Sequence, residues 1–251
     1  MDIDPHYYAS GFSELDDPYV QENGVLINRL GIVETELLNT YEKRFSVLRI
    51  NQILNEHAPE HFDTEYLRQL HLRIFSEVYP WAGEFRRVGI GKGDTIFLPH
   101  QQIQAALDEL LTEIDQQKQN FIGDKAQFSQ SVGNFLVRLN YIHPFREGNG
   151  RTQRLFVSKL AQYASIDLNW EAVSSEALRV LDLLLPFILI VPGLLSNVSS
   201  LFNGSERDAR VKKLDAESEY IRERTRTYAR CASAPQLTPA CEIVLRAVPP
   251  I

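Results

Sequence analysis

The sequence predicts an all-α fold, mainly helical, with one β-hairpin. Apolar residues recur at intervals of three and four, the spacing of one helix face, along several stretches. Those stretches are 32–53, 63–78, 101–117, 125–141 and 155–163. Between 81 and 97, β-forming residues stand on both sides of the turn-forming segment 91–94, a pattern that predicts the hairpin.

The stretch 63–78 shows the helical period most clearly. Its apolar face comprises Leu67, Leu70, His71, Ile74, Phe75 and Val78. The stretch 125–141 places Phe128, Val132, Phe135, Leu136 and Leu139 at the same spacing. This second helix is expected to be buried and to deliver His143, and Pro144 prevents it from continuing.

A glycine-flanked asparagine follows the end of that helix. Leu155, Phe156, Leu160 and Tyr163 then restart a helical apolar stripe. Gly148, Asn149 and Gly150 are therefore expected at a helix N-terminus, where backbone N–H groups and the positive end of the helix dipole face outward. Such a terminus binds anions, and glycine allows the backbone to approach a phosphate closely. The segment predicts an anion site.

Charged and titratable residues surround this predicted anion site. Arg151 and Arg154 lie three residues apart on the new helix, so both project from its first turn, and guanidinium groups match phosphate oxygens. Glu147 is an oxygen ligand suited to Mg²⁺ that also binds phosphates. A neutral His143 could accept the proton of an incoming hydroxyl. Together they predict phosphoryl or nucleotidyl transfer.

Each of these residues also has a purely structural interpretation. A histidine at a helix end is commonly a cap or a core residue, and Glu147 with Arg151 could be a surface ion pair of small energetic value. Phe145 is predicted to be core packing that anchors the loop. The combination of base, carboxylate, amide turn and two guanidinium groups within twelve positions favours a functional site.

The stretch from His143 to Arg154 resembles the signature of the Fic family, His-Pro-Phe-x-(Asp/Glu)-Gly-Asn-Gly-Arg-x-x-Arg, at every specified position. The resemblance extends over roughly 17–178. It implies an enzyme that transfers AMP from ATP to a Ser, Thr or Tyr hydroxyl of another protein. The Gly-Asn-Gly-Arg core differs from the loop of the kinase-like Doc branch.

The resemblance also implies a role for each residue of the motif. His143 would be the general base and Glu147 the Mg²⁺ ligand. Asn149, with the glycines on either side, would form the anion hole. Arg151 would contact the region of the α- and β-phosphates, and Arg154 would hold the γ-phosphate.

The predicted hairpin, near 84–98, resembles the family's flap, whose edge pairs with the backbone of the target. Strand addition of this kind gives affinity with little demand on the target's sequence. The residues expected to dock the target are Ile90, Lys92, Gly93, Asp94, Thr95 and Phe97. The alternative is a hairpin that only packs on the domain.

Composition limits the other functions. A formal charge of −7 and a pI near 5.4 argue against broad, direct nucleic-acid binding, which requires a basic face. Cys231 and Cys241 are the only cysteines, which excludes a disulfide framework and suits a reducing compartment. The first residues are acidic and form no apolar run, so no signal peptide is visible. A cytoplasmic location is expected.

Two regions are expected: a Fic-like domain with an N-terminal lead-in over 1–178, and an atypical extension over 179–251. Residues 180–195 are almost wholly aliphatic, and polar sequence follows. Three interpretations stay open for the apolar run: a buried helix, which we favour; a membrane contact; or a frameshift near Arg179. The run is shorter than the roughly 20 residues of a membrane span and contains two prolines. Translation in the other two frames tests the frameshift.

Family members are commonly inhibited by a helix reading (Ser/Thr)-x-x-x-Glu-(Gly/Asn), whose glutamate occupies the second motif arginine. Ser10–Glu14 and Thr238–Glu242 match it except at the final residue. A small separate antitoxin supplying a glutamate to Arg154 is therefore expected.

The segments 17–19 and 28–32 resemble antitoxin-paired members, which implies DNA gyrase or topoisomerase IV as the target. The alternatives are a nucleotide-binding interaction protein with little catalysis, or an enzyme that transfers a different phosphate-containing group.

Overall fold

Five α-helices and three short strands form the part of the chain that the structure describes. A computed structural model of the protein describes residues 8–10, 17–92, 95–168 and 170. The helices are α1 (Thr35–Leu54), α2 (Thr64–Phe75), α3 (Ile103–Gln117), α4 (Lys125–Ile142) and α5 (Asn149–Tyr163). The strands are β1 (Tyr8–Ser10), β2 (Gly89–Lys92) and β3 (Thr95–Ile96). The prediction of a mainly helical fold with one hairpin is confirmed.

Side-chain caps fix the starts of two helices. The Asp63 carboxylate accepts a hydrogen bond from Tyr66 N–H at 2.8 Å, and the Asp124 carboxylate accepts one from Gln127 N–H at 2.9 Å. Both satisfy N–H groups that a helix cannot pair internally. The first cap starts α2 one residue inside the predicted stretch, and the second starts α4 at its predicted beginning.

Helix α5 is anchored by an aromatic cluster in the core. The Phe156 ring packs on Phe135 of α4 at a centroid distance of 5.2 Å and on Phe62, ahead of α2, at 5.5 Å. Phe62 and Phe156 are fully buried. Aromatic side chains bury large apolar areas, so this cluster holds α5 against α2 and α4 and thereby fixes the position of its N-terminus.

Helix α1 does not bury a continuous apolar face. Its buried residues are Leu38, Glu42, Ser46 and Ile53. The large apolar residues exposed along it are Leu37, Tyr41, Val47, Leu48 and Leu54. The helix was predicted from an apolar stripe, whereas its inward face includes two polar residues. The reason is that both of them contact the candidate site.

The predicted hairpin belongs to a three-stranded antiparallel sheet of order β1-β2-β3. Lys92 pairs with Thr95 across the hairpin, and Gly91 pairs with Ile96. The sequence did not predict β1, whose Tyr8 pairs with Gly91. Within the described residues, β1 occupies one edge of β2, so β3 presents the sheet's other edge.

Several predictions concern residues outside the described ranges. These are the extension over 179–251, the hairpin tip at Gly93 and Asp94, and the two near matches to the inhibitory motif at Glu14 and Glu242. Among the described helices, none is long and apolar enough to cross a membrane.

Candidate active site

His143 terminates α4 in a left-handed backbone conformation, with φ 45° and ψ 63°. Its N–H still donates to the Leu139 carbonyl oxygen at 3.0 Å, which closes the last helical turn. A non-glycine residue with positive φ is uncommon, and such residues cluster at functional sites. The helix does not continue through Pro144, as the sequence predicted. The end of α4 therefore fixes His143 in an unusual backbone geometry.

The hydrogen bonds of the His143 ring define its tautomer. Nδ1 lies 3.1 Å from the Asn140 carbonyl oxygen and 3.1 Å from Asn140 Oδ1. Because both partners are acceptors, Nδ1 carries the proton, and Nε2 of the neutral ring carries the lone pair. The Phe97 ring stacks on the imidazole at a centroid distance of 3.9 Å. The ring nitrogen of His143 that can accept a proton is therefore Nε2.

Burial keeps this imidazole neutral. His143 is 3% exposed, and the loss of hydration lowers its pKa to about 3. The hydrogen bond to Asn140 opposes this shift, whereas the positive charges of Arg86 and Lys92 add to it. At neutral pH the ring is unprotonated, as a general base must be.

The loop from His143 to α5 is closed by Asn149. Its Oδ1 accepts a hydrogen bond from Phe145 N–H at 2.9 Å, and its Nδ2 donates to the Phe145 carbonyl oxygen at 2.8 Å. Gly148 adopts φ 81° directly before the helix, and Thr152 N–H donates to its carbonyl oxygen at 3.1 Å. The predicted helix N-terminus is present, and the Asn149 side chain braces the loop that leads to it.

Glu147 lies at the side of this loop, with its carboxylate partly buried. Oε1 accepts a hydrogen bond from Gly148 N–H at 2.8 Å and lies 3.7 Å from Arg151 Nη2. Burial and the negative charge of Glu42 raise the pKa of Glu147, and Arg151 opposes them. Within the described residues, no group of three or more His, Cys, Asp or Glu side chains could hold a metal. A Mg²⁺ at Glu147 therefore fits only with additional oxygens, such as those of phosphates.

Helix α1 holds the first motif arginine. The Arg151 guanidinium donates to Glu42 Oε1 and, at 3.2 Å, to Ser46 Oγ. It lies over the Phe75 ring, 4.7 Å from the centroid. Glu42 also accepts a hydrogen bond from the Tyr79 hydroxyl. The sequence motif did not include Glu42 and Ser46. Their spacing of four residues, which places them on one face of a helix, was the signal that could have found them.

Arg154 lies one turn further along α5. Its Nη1 would be 3.2 Å from a Cβ built on Gly150, so the guanidinium lies beside the first turn of the helix. The structure thus brings both motif arginines to the N-terminus of α5, together with Glu147.

His71 supports the loop from α2. Its Nδ1 accepts a hydrogen bond from Gly83 N–H at 2.8 Å, so Nε2 carries the proton and donates to the Glu147 carbonyl oxygen at 3.0 Å. The ring stacks on Phe145 at 3.8 Å. The sequence assigned His71 to the core face of the helix, and the structure places it there.

The N-terminal lead-in contacts the same loop. Arg146 Nε and Nη2 donate to Asp17 Oδ2 at 3.0 and 2.9 Å, and both side chains are buried. Asp17 Oδ1 also accepts a hydrogen bond from Tyr19 N–H. A buried ion pair of this kind fixes geometry, because breaking it would leave one charge uncompensated. The sequence had marked 17–19 by resemblance only.

The hairpin residues divide into those near His143 and those elsewhere. Phe97 contacts the imidazole directly, and Lys92 is close enough to lower its pKa. Ile90 is fully buried, so its side chain packs inward and only its backbone could contribute to docking. Ile96, which was not among the predicted docking residues, is 62% exposed. Thr95 contributes its backbone pairing to the hairpin.

His71 and His143, which are both buried, should make the stability of the fold depend on pH. Burial lowers the pKa values of His71 and His143 to about 3, so below pH 6.5 the unfolded chain binds protons that the folded chain does not. We expect each histidine to reduce the free energy of unfolding by about 1.4 kcal/mol per pH unit between about pH 6 and pH 4. Urea unfolding over this range measures the slope. His143→Ala should remove the contribution of one histidine to this slope. An unchanged slope would contradict the low pKa of His143.

Comparison with known proteins agrees with the resemblance seen in the sequence motif. The model of the Fic/DOC family matches residues 61–161. Protein adenylyltransferase VbhT of Bartonella schoenbuchensis is 33% identical over 64% of this chain, which spans only 34% of that relative's length. A protein of Escherichia coli K12 named "Probable protein adenylyltransferase Fic" is 30% identical over 66% of this chain and 82% of its own length.

A solved structure shares the fold. The N-terminal Fic domain of a VirB-translocated Bep effector protein from Bartonella quintana, with bound ADP, has a TM-score of 0.63. The similarity covers 73% of this chain and 93% of that one, at 24% identity. The chain is 30% identical to the Escherichia coli relative and covers 82% of it, and the family's motif extends from the end of α4 into α5. This chain therefore belongs to the Fic/DOC family.

Proposed function

We propose that this protein is an adenylyltransferase that moves AMP from ATP to a Ser, Thr or Tyr hydroxyl of a target protein. The observation that carries the proposal is the neutral His143, whose lone pair is on Nε2, at the entrance to an α5 N-terminus flanked by Arg151 and Arg154. The names of the relatives VbhT and Fic and the ADP bound to a structural neighbour support it.

The proposed step is an in-line displacement. His143 Nε2 accepts the proton of the target hydroxyl while its oxygen forms a bond to the α-phosphorus. The bond from that phosphorus to the oxygen bridging to the β-phosphate breaks, and pyrophosphate leaves. Backbone N–H groups at the start of α5 would face the negative charge that develops on the phosphate, and would then stabilise the transition state more than the ground state.

The arginines orient the triphosphate. Arg151 is held from α1 by Glu42 and Ser46, which fixes the orientation of its guanidinium. This group is proposed to contact the α- and β-phosphates. Arg154 is proposed to bind the γ-phosphate. Glu147 would hold a Mg²⁺, which supplies positive charge to the phosphate oxygens.

The hairpin is the proposed docking site for the target backbone. Within the described residues, β1 pairs with one edge of β2, and β3 presents the sheet's outer edge with Ile96 exposed. Phe97, directly after β3, stacks on His143. A target strand added at this edge would therefore be held beside the base.

We further propose that the protein is a toxin that stops bacterial growth. Its target would be DNA gyrase or topoisomerase IV, and a small antitoxin would inhibit it. The lead-in that resembles antitoxin-paired members supports it. The antitoxin's glutamate would bind Arg154. If Glu14→Gly or Glu242→Gly raised the activity of the isolated chain many-fold, an internal inhibitor would replace the separate antitoxin.

The experiment that tests the activity compares ATP labelled at the α-phosphate with ATP labelled at the γ-phosphate. The protein is incubated with Mg²⁺ and a bacterial lysate, with and without a chelator. Label from the α-position alone, on a discrete lysate band or on the enzyme, is expected. Label from the γ-position would indicate phosphoryl transfer. No label from either position, with ATP binding intact, would favour an interaction protein or a different donor.

A further inference from the structure

Arg86 connects the hairpin to the turn that holds His143. It lies in the segment leading to β2 and is 2% exposed. Its guanidinium donates to four backbone carbonyl oxygens of the described chain. Nε donates a hydrogen bond to the His143 oxygen at 2.8 Å, and Nη1 donates one to the Val88 oxygen at 2.7 Å. Nη2 donates to the Leu98 oxygen at 2.5 Å and to the Ile142 oxygen at 3.1 Å.

These carbonyl groups belong to two separate parts of the site. Ile142 and His143 form the end of α4, whereas Val88 precedes β2 and Leu98 follows β3. The backbone reinforces the connection, since Arg86 N–H donates to the Pro144 carbonyl oxygen at 2.9 Å. One side chain therefore ties both ends of the hairpin to the residue that carries the base.

The geometry of this connection determines where the His143 ring lies. The peptide unit is planar, so a hydrogen bond that fixes the His143 carbonyl oxygen also restricts the rotation that places its Cα and ring. The backbone of His143 is already in a left-handed conformation, which persists only where the surrounding structure imposes it. Charge-assisted hydrogen bonds from Arg86 are strong enough to contribute to that constraint.

We propose that Arg86 is a positioning residue that sets the location of the His143 base relative to the hairpin on which the target docks. It does not contact the reacting atoms; it acts through His143 and through Phe97, which immediately precedes the bonded Leu98. The inference rests on the proposed adenylyl transfer, because the hydroxyl of a docked target must come within hydrogen-bonding distance of His143 Nε2.

The nature of the contacts indicates which substitutions are informative. Lysine keeps a positive charge, but its single ammonium group cannot reproduce the planar fork that spans four carbonyl groups. Methionine keeps most of the length and supplies no donor, which leaves buried carbonyl oxygens unpaired. Arg87 is the matched control, because it is adjacent in sequence but exposed, and its side chain pairs with Glu84 at the surface.

The experiment compares Arg86→Lys, Arg86→Met and Arg87→Met in the full chain. We expect both Arg86 variants to lower kcat for label transfer to protein on the order of 10²-fold, because a displacement of about 1 Å has that effect. The KM for ATP should stay unchanged, since the arginines that are proposed to bind the phosphates lie on α5. Arg87→Met should retain kcat.

A measurement that does not depend on enzymatic activity distinguishes a failure of this inference from a failure of the proposed function. ¹⁵N NMR of the ring nitrogens reports the His143 tautomer, which should be uniform, with Nδ1 protonated, in the wild type and mixed in the Arg86 variants. If the wild type transfers no label, this comparison still tests the positioning role. Unchanged kcat and tautomer in folded Arg86→Lys would overturn the proposal. So would loss of folding in both variants, which would assign Arg86 to stability alone.

Discussion

Replacement of His143 by alanine is expected to lower the rate of AMP transfer about 10²–10⁴-fold, the usual contribution of a general base. ATP binding should persist, because the arginines and the N-terminus of α5 that are proposed to hold the phosphates are separate from the ring. The loss comes from the transition state, where the target hydroxyl must release its proton. The effect should therefore appear in kcat rather than in the KM for ATP.

Two further variants make this test specific. His143→Asn removes the base but keeps a residue type that tolerates the left-handed backbone at φ 45°. It should lose transfer as completely as His143→Ala, which excludes a distorted turn as the cause. His57→Ala, at an exposed position, should retain full activity. Transfer by His143→Asn at the wild-type rate would show that His143 is not the base.

Local patterns in the sequence were sufficient to predict the helices and the motif. Helices α2, α4 and α5 each bury one face of regular period, and that period is visible in any stretch of a dozen residues. The motif is contiguous, so its imidazole, carboxylate and guanidinium groups all lie within twelve positions of the chain. The structure adds the tautomer of His143, which depends on Asn140 one turn earlier.

The supporting contacts could not be predicted in this way, because they join distant segments. Glu42 and Arg151 are 109 residues apart, and Asp17 and Arg146 are 129 apart. Such pairs leave no periodic signal, and each residue alone is typical of a solvated surface. Strand β1 was missed for a related reason, since three residues are too few to show alternation and its partner lies far along the chain. In all three cases the contact joins segments that are far apart in the sequence, which local patterns do not reveal.

Replacement of Gly148 by alanine is expected to destabilise the protein and to impair nucleotide binding. A Cβ there would lie 2.4 Å from two atoms of the Phe75 ring, and the backbone has φ 81°. Phe75 is fully buried and supports the Arg151 guanidinium, so it cannot move without displacing that group. The left-handed backbone costs about 1–2 kcal/mol for a non-glycine residue. Overpacking adds about 1–3 kcal/mol.

Two other glycines separate these contributions. Gly123 has φ 77°, and a Cβ there would meet no described atom within 4 Å, so Gly123→Ala measures the backbone cost alone. Gly150→Ala would bring a Cβ to 3.2 Å from Arg154 Nη1, which is farther than the 2.4 Å contact with Phe75 at Gly148 and lies at the end of a long side chain. Urea unfolding should rank Gly148→Ala as the most destabilised of the three. Equal losses for Gly148→Ala and Gly123→Ala would show that Phe75 yields, and ATP affinity would then reveal whether Arg151 moves with it.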